Sequence, residues 1–171
     1  MQVAILVFDG LTVLDAVGPY EILSWIPEAD VRLVGIETGL KRDAKGTLAI
    51  MADWALSDVP NPDIIVVPGG PGEEALRWNE PVLNWLRTAH QTSSWTTSVC
   101  TGALLLASAG ILDGVEATTH WMSLEQLEVL GATPARERVV IRDRIITAAG
   151  VSAGIDMALL LAQLVAGDDV A

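Results

Sequence analysis

Two short runs of uninterrupted apolar residues constrain this chain more than anything else in it. Val3-Ala4-Ile5-Leu6-Val7-Phe8 and Ile64-Ile65-Val66-Val67 contain no polar side chain. A strand with one wet face alternates apolar and polar residues; a strand without alternation is buried on both faces. Around these runs lie stretches with helical spacing: 12–26, interrupted by Pro19; 80–90, with Pro81 in its first turn; 101–109, closed by Gly110; 121–130, closed by Gly131; and 153–166, stopped by Gly167. Further strands are expected at 31–36, 94–99 and 117–119, with an antiparallel excursion over 39–54 and a hairpin of 139–142 and 144–148 around Asp143. Strands alternating with helices imply one α/β domain over residues 1–171, with a mostly parallel sheet covered on both faces. In such sheets ligands bind beyond the carboxyl ends of the strands.

Composition narrows the chemistry. The 10 Lys and Arg residues face 22 Asp and Glu residues, a formal charge of −12. Such a surface repels phosphate backbones, so no nucleic acid is expected to bind through this domain. There is a single cysteine, which excludes an internal disulfide and a multi-thiolate zinc site. The N-terminus lacks the basic segment and cleavage region of a signal peptide, and no apolar stretch is long enough to span a bilayer. The cytoplasm, without membrane association, is the expected location.

Four motifs converge on the carboxyl edge of the predicted sheet. In Ser98-Val99-Cys100-Thr101-Gly102-Ala103 the cysteine occupies the turn between a strand and a helix. Small residues follow it, as a sharp elbow requires, and the helix N-terminus favours the thiolate and a lowered pKa. A lone cysteine is more often a small buried hydrophobe; the strand–Cys–small–Gly–helix context favours a nucleophile. Pro68-Gly69-Gly70-Pro71-Gly72 follows the second apolar strand directly. Its amides either hold a tight turn or stabilise negative charge on a substrate. Asp15, in Leu11-Thr12-Val13-Leu14-Asp15, either complements a helix dipole or lies beside the sulfur and shuttles a proton. His120, in Thr118-Thr119-His120-Trp121, is either a base for Cys100 or a packed side chain, and a supporting or pocket role for His120 and Trp121 is preferred. His90, at the end of a helix, reads as structural, and core packing is expected for each of the six tryptophans.

Taken together, these motifs resemble the DJ-1/PfpI superfamily, the class I glutamine amidotransferase-like (ThiJ) proteins, over essentially the whole chain. The resemblance implies a flavodoxin-like three-layer sandwich with a nucleophile elbow, and a homodimer. It implies that Asp15 contacts Cys100, that Gly70, with Gly69 beside it, supplies an oxyanion amide, and that Thr101 is the residue after the nucleophile. PfpI-type proteases carry histidine there, and DJ-1-like members commonly carry glutamate in place of Asp15. Asp15 with Gly18-Pro19, Cys100-Thr101-Gly102 and Ala117-Thr118-Thr119-His120-Trp121 are most similar to the isonitrile hydratase branch. That branch implies a small-molecule substrate, addition of water to an isonitrile through a cysteine thioimidate, and no metal or organic cofactor. The same motifs are similar to the sensor domains of AraC-type regulators, which carry a helix-turn-helix region after this domain; none lies within these 171 residues. Glyoxalase or deglycase activity and redox sensing at the cysteine are the other activities the superfamily implies.

Overall fold

The computed structural model describes all 171 residues. The elements run β1 (Gln2–Leu6), α1 (Val13–Leu23), β2 (Asp30–Gly35), β3 (Gly39–Arg42), β4 (Ala49–Ala52), β5 (Trp54–Ala55), β6 (Ile64–Val67), α2 (Glu73–Leu76), α3 (Glu80–Thr92), β7 (Trp95–Val99), α4 (Gly102–Ser108), β8 (Glu116–Ala117), α5 (Leu124–Val129), β9 (Thr133–Pro134), β10 (Val139–Arg142), β11 (Ile145–Ala148) and α6 (Ala153–Ala166). Seven strands form the central sheet in the order β10-β11-β7-β6-β1-β2-β5. All its pairings are parallel except the β10–β11 hairpin. Helices cover the sheet on both faces, as the flavodoxin-like reading expects.

The unbroken apolar runs are the central strands. Every residue of β6 and all but the first of β1 are buried, and β1 pairs with β2 on one side and β6 on the other. The excursion over 39–54 resolves into a two-stranded β3–β4 hairpin, while Trp54 and Ala55 join the edge of the main sheet. The strand expected at 117–119 shrinks to Glu116–Ala117, which pairs with β9 in a small parallel ladder. Beyond it Thr118 and Thr119 serve other bonds: the Thr118 amide donates to Thr147 Oγ1 and the Thr119 hydroxyl donates to the Cys100 carbonyl. Residues 121–123 form a 3₁₀ turn before α5 begins. No helix is long and apolar enough to cross a membrane.

Pro19 sits inside α1 rather than at its start. It removes one backbone donor, and the segment is held by packing. Gly18 lies against Ile155, and Gly154 of α6 lies against both Pro19 and Val99. This close contact lets α1 and α6 share one layer over the sheet edge that carries the cysteine.

The tryptophans correct one expectation. Trp85 is buried, with its indole N–H donating to the Val59 carbonyl at 2.8 Å, and Trp95 is half-buried against the core. Trp25, Trp78 and Trp121 are 79%, 83% and 72% exposed. They follow α1, follow α2 and open the 3₁₀ turn, so no opposing layer covers them. Trp54 is partly exposed and stacks under the Arg32 guanidinium at 3.9 Å.

Gly102 marks where β6 and the start of α4 approach most closely. A Cβ there would stand 2.0 Å from the Val67 carbonyl oxygen. Gly102→Ala is therefore expected to destabilise the fold by about 3 kcal/mol, the cost of forcing backbone apart in a packed core. A urea unfolding series comparing midpoints measures it.

Candidate active site

Cys100 follows β7 and precedes α4 with φ of +56°, a left-handed backbone that side-chain-bearing residues rarely adopt. The turn is over-determined. The Cys100 amide donates to the carbonyls of Ala148 and Ala149, its carbonyl accepts from Thr119 Oγ1 at 2.8 Å, and Gly69 leaves no room for a side chain beside Thr101. The thiol is only slightly exposed, but it forms part of the floor of a cleft of about 270 Å³. Thr12, Arg77, Thr101, Leu104, His120 and Gln126 are among the cleft walls.

Asp15 lies in the first turn of α1 and has no exposed surface. Its Oδ2 accepts the Gly69 amide at 3.0 Å. Oδ1 has no hydrogen-bond partner; the Cys100 thiol lies close enough to ease the charge on the carboxyl. Burial pushes the Asp15 carboxyl up to about 7, partly offset by the Gly69 amide and then by the thiol. Burial and the negative charge of Asp15 push the Cys100 thiol up to about 11, against the opposing pull of the Val151 and Thr101 amides. This corrects the expectation of a pre-formed thiolate. The Thr101 amide before α4 and the Val151 amide before α6 do not outweigh desolvation beside a carboxylate. The thiol is favoured over the thiolate, and the neighbouring carboxyl is the nearest base to it.

The two glycines divide their work. Gly69 donates to Asp15, whereas the Gly70 amide donates to Thr101 Oγ1 at 3.0 Å. In this state neither amide is free for a substrate oxyanion. Gly70 has φ of +127°, and a Cβ on it would collide with the backbone of residues 10–12, so only glycine fits this crossing.

His120 borders the cleft above Gly150, and its Nδ1 accepts the Met122 amide at 3.4 Å. Trp121 does not line the cleft; its ring lies 5.7 Å from that of His120, tilted by 33°. His90 is far along the sheet, with Nδ1 2.8 Å from Thr96 Oγ1, consistent with the structural role expected of it.

Sequence reasoning missed Glu73. It is 2% exposed, holds Arg77 in a bidentate ion pair and faces the Thr101 hydroxyl. Burial raises its carboxyl above the usual range, opposed chiefly by the Arg77 charge. Its only sequence signal was the Glu73–Arg77 spacing of four directly after a glycine-rich loop, a pattern shared with countless exposed helical pairs.

A strained cysteine elbow with a buried acid near it, on a seven-stranded α/β sandwich, marks a class of cysteine-centred proteins. The DJ-1/PfpI family matches residues 1–164, and the chain belongs to that family. It is similar to the isonitrile hydratase of Pseudomonas putida, 39% identical over 171 residues, which is all of this chain and 75% of that protein. It is also similar to the glutathione-independent glyoxalase DJR-1.2 of Caenorhabditis elegans, 30% identical over 81% of this chain and 75% of that one. Among solved structures, a ThiJ/PfpI family protein from Pseudomonas syringae superposes with a TM-score of 0.91 at 33% identity, over 95% of this chain and 68% of that one.

Proposed function

We propose that the protein is an isonitrile hydratase-type lyase, which converts R–N≡C and water to an N-substituted formamide at Cys100. The observation that carries this reading is the Cys100–Asp15 pair: a protonated thiol at the floor of a cleft, with a carboxyl of pKa about 7 as its proton partner. The similarity to the Pseudomonas putida isonitrile hydratase supports it.

In the first step sulfur attacks the terminal isonitrile carbon. Asp15 takes the thiol proton and returns it to the same carbon, giving the thioimidate R–N=CH–S–Cys100. In the second step water adds to that carbon. One water proton passes by way of the carboxylate to nitrogen, giving R–NH–CH(OH)–S–Cys100. Loss of the sulfur, which recovers the hydroxyl proton, releases R–NH–CHO and restores the thiol. The Thr101 amide, directed at the sulfur, stabilises charge there as it develops. His120 supports the cleft wall in this scheme and transfers no proton.

Burial and the Asp15 charge both raise the Cys100 thiol, which disfavours the thiolate that peroxide sensing uses. The reading includes a small-molecule substrate and a homodimer, as the family resemblance implies, and the cytoplasmic location expected from the sequence. The test offers the protein an aliphatic and an aromatic isonitrile, with methylglyoxal in parallel, and follows products by NMR. Formamide appearing in proportion to protein is the expected outcome. Lactate formation from methylglyoxal without formamide assigns the site to glyoxalase chemistry. Thermal stabilisation by isonitrile with no product makes it a binding domain.

A further inference from the structure

A threonine hydroxyl has one proton to give and two lone pairs with which to accept. At Thr101 most of that capacity is already assigned. The Gly70 amide donates into Oγ1 at 3.0 Å, using one lone pair. Glu73 and Thr101 line the same cleft, and the hydroxyl is near enough to ease the charge on the Glu73 carboxyl. Both Glu73 oxygens are held by Arg77, through Nε and Nη2, and the side chain is almost completely buried. A carboxylate in such an ion pair offers only acceptors. Thr101 must therefore donate to it, which leaves one lone pair of Oγ1 directed elsewhere. Thr101 lines the cleft next to Cys100.

We propose that Glu73 is a positioning residue: by taking the Thr101 proton, it makes Thr101 an acceptor-only group toward the cleft, where it holds the attacking water. An acceptor repels an oxyanion but suits the O–H of water. Asp15 is entirely buried behind the sulfur, so a water approaching from the cleft needs a second partner to fix its orientation. The inference rests on the hydratase reading for its kinetic consequence. The polarity of the hydroxyl does not depend on that reading.

Glu73→Gln is the sharp test, because it changes almost nothing in size. Arg77 retains the amide oxygen of the new side chain, and the amide NH₂ turns to Thr101. The hydroxyl must then accept there and aim its proton into the cleft. The expected result is a kcat lower by about 10- to 100-fold with KM within about threefold. Because sulfur addition needs no water, the thioimidate on Cys100 accumulates in the steady state and is seen by intact mass. Thr101→Val reproduces this phenotype, Thr101→Ser retains most of the activity, and Glu73→Gln adds nothing on top of Thr101→Val. A kcat within about threefold of the parent, or a loss through KM without adduct, overturns the proposal. Should Glu73→Gln fail to fold, equal kcat for Thr101→Val and Thr101→Ser overturns it. Should the parent protein form neither adduct nor formamide, the hydratase reading falls and alkylation decides. A donor turned toward the sulfur speeds iodoacetamide capture of Cys100 in Glu73→Gln at pH 8, by at least about threefold; an unchanged rate overturns the proposal.

Discussion

Cys100→Ala is expected to lower kcat/KM for isonitrile hydration by at least about 10³-fold, because it removes the only atom in the cleft able to form the covalent intermediate. A loss this size is distinguishable from collapse of the site. Alanine inherits the positive φ of the elbow, and the bonds that hold the turn are made by the backbone of residue 100 with Ala148, Ala149 and Thr119. The variant also removes the thiol that eases the charge on the buried Asp15 carboxyl, a small loss. Its urea midpoint is expected to correspond to a change within about 1 kcal/mol of the parent. Initial rates and unfolding on the same preparation check both halves. Substantial turnover by Cys100→Ala would remove the thioimidate from the scheme and leave only carboxyl-catalysed addition of water.

The elbow was legible in the sequence because its demands are steric and local. A strand running into Cys100-Thr101-Gly102 needs a residue without Cβ at position 102, where the Val67 carbonyl lies 2.0 Å from the site a side chain would occupy. The central strands were legible because burial on both faces writes an unbroken apolar run. Placing Asp15 and Cys100 at one sheet edge followed from the same topology, since Cys100 directly follows β7 and Asp15 opens the helix that follows β1. What sequence could not give was the outcome of competing electrostatic effects at one atom. A helix N-terminus lowers a thiol pKa, while desolvation and a neighbouring carboxylate raise it, and only packing says how dry the sulfur is. The role of Gly70 was likewise opaque. Its amide is directed at Thr101 Oγ1, a partner 31 positions away that no local pattern announces. Three tryptophans assigned to the core lie on the surface because hydrophobic type alone does not distinguish a covered face from an uncovered helix end.

Asp15→Asn gives the second large effect, and it moves three observables in different directions. Turnover is expected to fall by about 10²- to 10³-fold, since an amide cannot accept the thiol proton. At the same time Cys100 becomes more acidic, because the Asp15 charge is one of the causes that hold its pKa up. Iodoacetamide should therefore alkylate the thiol faster at pH 8 in the variant that hydrates isonitriles more slowly. A residue that merely stabilised a thiolate would show both rates falling together. The third observable is stability. The Asp15 carboxyl has an ordinary value of 3.8 and a folded value of about 7, so the folded chain binds this proton more tightly than the unfolded chain. Stability contributed by this group is therefore greatest below about pH 4, declines as pH rises from about 4 to about 7, and is level above that. An uncharged amide at this position carries no such slope, so Asp15→Asn should be the more stable protein at pH 8, by a few kcal/mol, with the advantage vanishing near pH 4. In the parent, kcat/KM should rise with pH through about 7 as the carboxyl becomes the base, and that inflection should be absent from the residual activity of the variant. Stability and activity then trace one titration in opposite senses: the charge that burial disfavours is the charge that removes the thiol proton. Unfolding midpoints and kcat/KM measured across the same pH series test this directly, and a stability difference that does not change between about pH 4 and 8 would show that the buried carboxyl is not the group being titrated.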